Sequence, residues 1–250
     1  MGKEDMKVAG QWREPDVVEW YDLNQGEEGD PLNRDIIAPA VFELLGDISS
    51  EEVLDSGCGS GDFTAELTQK VGNGKIVGTD FPEAVELCKR KYASSPNLSF
   101  VPHDLTAAMP FQEGSFDKVV SKMVLQYVEN IRTFARESHR VLKEGGELVI
   151  ATDHPFHTQF YYAQQVAGKP NPTYPGLHDY FNHGSQTKVS LWGKVPLTWY
   201  PKTMSDYMLP FVQDGYTLSD MKEIPEEQNG ANVPRILALQ FRKQSPPTAK

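Results

Sequence analysis

Cysteine, positive charge and long apolar runs are what this sequence has least of. Its 250 residues include two cysteines, Cys58 and Cys88. Two are too few to staple a domain of this size, which excludes a disulfide-framed scaffold and fits a reducing compartment. No stretch approaches the roughly 18 consecutive apolar residues of a membrane span. The opening Met1–Met6 has no apolar leader core, and Met6 stands where a myristoylation signal wants Ser or Thr. Lysine and arginine number 24 against 35 acids, a formal net charge of −11, with no Lys/Arg-rich run. A phosphate backbone is therefore a poor main partner. The expectation is a cytoplasmic monomer or homodimer that engages a small molecule, with no nucleic acid and no membrane.

What is present is ordinary for a globular enzyme: 39% hydrophobic and 24% charged residues, enough for a real core. From 51 to 153, short apolar runs alternate with helical patterns. Strands are predicted at 51–55, 75–80, 97–101, 116–121 and 146–152, and helices at 62–71, 82–92 and 130–142. This alternation means βαβ units and a parallel sheet. Residues 33–45 read as a covering helix and 203–214 as a late one. A final strand pair is expected at 217–224 and 235–242, joined by a polar loop, Pro225–Pro234.

Charge and aromatics are unevenly spread. Residues 154–211 hold 12 of the 26 aromatics and 4 of the 6 histidines, with Asp179 and Asp206 as the only acids against four lysines. That stretch is +2 and the remainder −13, which together make the −11 of the whole chain.

The most informative segment is Val53-Leu-Asp-Ser-Gly-Cys-Gly-Ser-Gly61. A strand that breaks into three alternate glycines before a helix lets a ligand approach the backbone and presents N–H groups at a helix N-terminus. The spacing misses the dinucleotide pattern, because Asp62 stands where its third glycine belongs, and Asp62-Phe63 also fails the P-loop ending. Asp55, two residues before Gly57, repels a pyrophosphate and attracts an ammonium. Asp80, at the end of the second strand, is placed to accept ribose hydroxyls. A ribose and an ammonium without a phosphate describe S-adenosylmethionine.

On these motifs the sequence resembles the class I S-adenosylmethionine-dependent methyltransferases of the small-molecule branch. The resemblance runs from about residue 17 to 243. It implies a Rossmann-like α/β fold: a seven-stranded, mostly parallel sheet with helices on both faces, an antiparallel final strand and an aromatic-rich insertion after the fifth. Its domains would be an N-terminal lid at 1–46, a cofactor-binding core at 47–153 and 203–243, a substrate-covering insertion at 154–202 and a disordered tail at 244–250. Asp55, Gly57, Cys58, Gly59 and Gly61 match the turn that holds the amino acid end of the cofactor. Asp80 matches the ribose acid, Phe81 would lie along the adenine, and Asp104-Leu105 matches the acid that accepts from the adenine amino group. Ser121 ends the fourth-strand motif, and Tyr21 and Arg34 match the aromatic and basic lid residues that close over the methionine part. The departures matter too. Ser121-Lys-Met-Val124 replaces the Pro-Pro signature of base- and glutamine-directed members, and Trp199-Tyr-Pro-Lys-Thr203 replaces a His-Arg pair.

The implied reaction is methyl transfer from S-adenosylmethionine, leaving S-adenosylhomocysteine, to an oxygen or nitrogen of a small aromatic or heterocyclic metabolite. A protein or RNA acceptor, or binding without transfer, are the alternatives. Such a displacement needs proximity and a dry pocket, and a general base only where the acceptor is protonated. His154 and His157 follow the fifth strand and are the leading base candidates. His178 and His183 rank second, while His139 and His103 are expected to be structural. No metal site is expected.

Overall fold

The computed structural model describes residues 12–25, 30–157, 180–181, 186–189, 196–228 and 231–244. Most of the expected insertion, including His178 and His183, and the tail beyond 244 lie outside the described residues. The centre of the molecule is a seven-stranded sheet in the order β3-β2-β1-β4-β5-β9-β8. Its strands are β1 (Glu52–Ser56), β2 (Lys75–Asp80), β3 (Leu98–Pro102), β4 (Phe116–Lys122), β5 (Leu142–Asp153), β8 (Tyr216–Gln228) and β9 (Ala231–Lys243). The first five pair in parallel, and β9 lies antiparallel between β5 and β8. A separate antiparallel pair, β6 (Gln186–Val189) and β7 (Pro196–Trp199), falls in the aromatic-rich stretch, where no strands were predicted.

Alternation along each strand divides the core into two layers. Leu54, Val119, Leu148 and Leu239 face one side, packed with α5 (Arg132–Val141) and α6 (Met204–Gln213). Val53, Val120, Val149 and Ala238 face the other, under α2 (Ala38–Leu45) and α3 (Asp62–Val71). Helix α4 (Pro82–Lys91) starts with proline at its first position, where the missing N–H costs little. The N-terminal stretch forms α1 (Pro15–Gln25), which leans on α4. Lys91 on α4 holds both Asp22 of α1 (2.5 Å) and Asp62 of α3 (2.8 Å). A π-helical turn, Asn33–Ile37, leads into α2.

The last hairpin is longer than expected. Pairing continues through Pro225↔Pro234 to Gln228↔Ala231, so most of the predicted loop is strand. Both prolines fit because they lie where no further strand asks for their N–H. Pro225 lies on the edge strand opposite a bulge that Arg235 makes in β9, and Pro234 lies beyond Ile236, the last β9 residue that pairs with β5.

Thr203 starts α6 with a capping box: its hydroxyl accepts from Asp206 N, and the Asp206 carboxylate accepts from Thr203 N at 2.7 Å. Replacing its hydroxyl leaves one N–H group, that of Asp206, without its acceptor and takes a donor from the Asp206 carboxylate. Thr203→Ala should cost about 1 kcal/mol, read as a lower urea midpoint with an unchanged slope.

Candidate functional site

Strand β1 stops where the next residues can no longer follow a pleat. The N–H groups of Gly57 and Cys58 both donate to the Thr79 carbonyl (2.7 and 2.9 Å), folding the chain over the end of β2. Gly57 then takes φ +87°, and a Cβ there would lie 2.5 Å from Val124 Cγ2, so only glycine fits. Gly59 N donates to Asp80 Oδ2 at 2.8 Å, tying the turn to the second acid.

This turn floors a cavity of about 550 Å3, within the range of small-molecule sites. Asp55, Asp80 and Asp104, from the carboxyl ends of β1 and β2 and just beyond β3, all line it. Asp55 is buried and accepts from Thr64 Oγ1 (2.8 Å); burial lifts its carboxyl to about 6. Asp80 accepts from Gly59 N and, at 2.7 Å, from Phe81 N; burial outweighs these bonds and raises it too. Each of its oxygens keeps a lone pair for a further donor. Burial also raises the Asp104 carboxyl, but two bonds from Thr106 and the nearby Arg13 charge outweigh it and hold the group below its ordinary range.

Of the residues the sequence singled out, Tyr21, Arg34, Gly57, Cys58, Gly59, Phe81 and Leu105 also line the cavity. Gly61 and Ser121 lie behind it. Gly61 packs under Tyr92 and Cys88, and Ser121 Oγ donates to the Ser56 carbonyl (2.8 Å), stitching β4 to β1. Arg34 reaches both carboxylate oxygens of its neighbour Asp35.

His154 and His157 follow β5 as expected, but neither lines the cavity. His154 Nδ1 accepts from Phe156 N, so its proton is on Nε2, 2.9 Å from Glu223 on β8. Burial lowers its pKa against the pull of Glu223. His157 Nδ1 lies 2.7 Å from Arg235 Nη1, which also donates to Asp153. Both imidazoles are thus held in the β5–β9–β8 corner. Among the described residues, no group of three or more His, Cys, Asp or Glu side chains is placed to hold a metal, and no helix is long and apolar enough to cross a membrane.

Four further lining residues were not among the sequence candidates. Trp12 packs edge-on against Tyr21 and Tyr127, with ring centroids 5.1 and 5.3 Å away. Arg13 bridges to Asp104 and covers the Phe81 ring at 4.7 Å. Lys122 ends β4 and donates to Asn33 Oδ1 (3.0 Å). Its place at a strand's carboxyl end was the available signal. The residue after it, Met123, is the one non-glycine with positive φ among the described residues (60°), the sort of local strain that collects at functional sites.

Comparison with known proteins bears on the family and the fold. Residues 54–150, from β1 through most of β5, match the family model described as "Methyltransferase domain". A demethylmenaquinone methyltransferase of Lactococcus lactis is 36% identical over 127 residues, covering 49% of this chain and 50% of that protein. The chain thus spans about half the length of that relative. Among solved structures, an S-adenosylmethionine-dependent methyltransferase from Mesorhizobium loti aligns with TM-score 0.68 at 21% identity, over 84% of this chain and 99% of its own. The [4+2]-cyclase SpnF aligns with TM-score 0.63 at 16% identity, over 95% and 98%.

Taking Asp55 from its ordinary 3.8 to about 6 is worth ~3 kcal/mol. Between those values the folded chain keeps a proton that the unfolded chain has lost, so stability falls as pH rises through this window and stays lower above it. Asp55→Asn keeps an acceptor for Thr64 and removes the ionisation. In thermal melts of the ligand-free protein it should exceed the parent at neutral pH and lose that advantage below about pH 4.

Proposed function

From the match of residues 54–150 to the methyltransferase-domain model and a fold shared with class I S-adenosylmethionine-dependent methyltransferases, we propose that this chain methylates a small molecule. The observation that carries the reading is the convergence of Asp55, Asp80 and Asp104 on one cavity floored by the Gly57–Gly61 turn. The donor set fits the cofactor. A buried acid suits an ammonium, an acid with lone pairs to spare suits ribose hydroxyls, and an acid linked through Arg13 to the Phe81 ring suits an adenine amino group. Gly59 leaves the needed clearance, since a Cβ there would find only Tyr21 within 4 Å, at 3.9 Å.

When bound, S-adenosylmethionine supplies an electrophilic methyl group on a sulfonium. The chain's own contribution is to bind, orient and exclude water. Trp12, Tyr21, Tyr127 and Tyr200 give the cavity an aromatic wall, whose ring faces favour positive charge. Burial holds the Tyr127 phenol well above its ordinary pKa, so it stays neutral. Asp153, which also raises it, and Arg235, which lowers it, act on the same group. In this reading His154 and His157 brace β8 and β9 against β5, and the transfer runs on proximity.

The acceptor is an oxygen or nitrogen of a small aromatic or heterocyclic metabolite. Flat rings suit the aromatic wall, and the relative named for demethylmenaquinone supports a small-molecule acceptor. A second reading, binding of the cofactor without transfer, draws on the similarly folded protein named a cyclase.

Incubation with labelled S-adenosylmethionine and a metabolite extract, read by mass spectrometry, separates the two. Methylated small molecules support transfer; cofactor binding with no methylated product favours the second reading. Asp80→Ala should weaken cofactor binding about tenfold or more, the scale of lost charged hydrogen bonds. Unchanged affinity in that variant would overturn the ribose assignment.

A further inference from the structure

Strands β1 and β4 are neighbours, with Asp55 paired to Val120. Side chains alternate faces, so Lys122, two residues beyond Val120, emerges on the same face as Asp55. Both charges line the cavity, on the side covered by α3 and the π-helical turn. An ammonium has three donors. Among the described residues Lys122 uses one, toward Asn33 Oδ1, and makes no ion pair, while its charge lies 5.1 Å over the Phe63 ring. Asp55 likewise has one bond, from Thr64.

Two opposite charges on one cavity wall, each with capacity left over and not paired to each other, are a costly arrangement in an empty protein. A zwitterion resolves it. We infer that Lys122 receives the carboxylate of the cofactor's amino acid end, while Asp55 receives the ammonium. The inference rests on the methyltransferase reading and deepens it.

The surroundings favour this occupant over a simple anion. Lys122 is faced by Asp55 from β1, Asp62 and Glu66 from α3, and Asp30 ahead of the π-helical turn. Asp62 is already bonded to Lys91 and Tyr92. A bare carboxylate entering among these acids would be repelled, whereas a zwitterion brings its own positive group to them. Burial raises the Asp55 carboxyl and lowers the Lys122 ammonium; both strains are relieved when each meets its opposite charge. Arg34, the basic residue expected to close over the methionine part, holds the Asp35 carboxylate.

The test is calorimetric binding to the full chain of two ligands, S-adenosylhomocysteine and 5′-methylthioadenosine, which lacks the amino acid end. Lys122→Met should weaken S-adenosylhomocysteine about tenfold or more and leave 5′-methylthioadenosine within about twofold. Lys122→Arg should recover most of the loss. If Lys122→Met does not fold, Lys122→Gln is read the same way. Equal weakening of both ligands, or no weakening of the first, overturns the inference. A parent chain that binds neither ligand overturns the methyltransferase reading itself, whereas a parent that binds both isolates the question to Lys122.

Discussion

Two backbone N–H groups, those of Gly57 and Cys58, donate to one carbonyl, Thr79, and the cavity depends on that convergence. Parallel pairing of β1 with β2 ends at Ser56↔Thr79. A chain continuing straight would leave the sheet; donating twice to the last paired carbonyl forces it to fold across β2 instead. The positive φ at Gly57 and the contact of Asp80 with Gly59 N both follow from that fold-over. Val124 closes the position from above, so the turn is fixed by sterics as well as by hydrogen bonds. A turn this constrained can hold acids on its two flanks, at Asp55 and Asp80, without the flanks relaxing toward solvent.

That rigidity has an electrostatic cost. Asp55 and Asp80 are both driven upward by burial, and Lys122 downward. A protein at liberty to rearrange would expose or pair these groups. Here β1 and β4 are central strands, and their ends cannot move without breaking the core that Val53 and Val120 form with α2 and α3. The overall acidity of the chain has a local meaning in this setting. Lining acids outnumber lining cations, and Arg13 is already drawn to Asp104. The cavity lining is thus acidic on balance, with Lys122 among its acids.

Much of this was legible in the sequence because it is written in local signals. Three alternate glycines after an apolar run, an acid closing the next strand and a proline opening a helix each act within a few residues. The five parallel strands follow from alternation alone. What escaped is non-local. Lys122 reads as a strand-end lysine until the β1–β4 register places it on the face of Asp55. Trp12 and Arg13 precede α1 and acquire meaning only through packing on Tyr127 and Phe81. The Pro225–Pro234 segment carries every mark of a loop, and it is strand because both prolines lie beyond the reach of β5.

The two histidines after β5 show why the carboxyl end of a strand does not in itself reach the cavity. In open α/β sheets the crevice opens where the strand order reverses, since the loops on either side depart to opposite faces. With the order β3-β2-β1-β4-β5, that reversal lies between β1 and β4. Strand β5 stands one place further out, and its far side is occupied. Asp153 pairs with Ile236, and His154 N donates to the Arg235 carbonyl, so the antiparallel β9 continues the sheet to the very end of β5. The side chains that follow are captured by Glu223 and Arg235 from the last two strands. Asp55 and Lys122 instead flank the reversal itself, where no strand intervenes between them and the cavity. The same topological rule that pointed to the histidines therefore selects the aspartate and the lysine once the strand order is known.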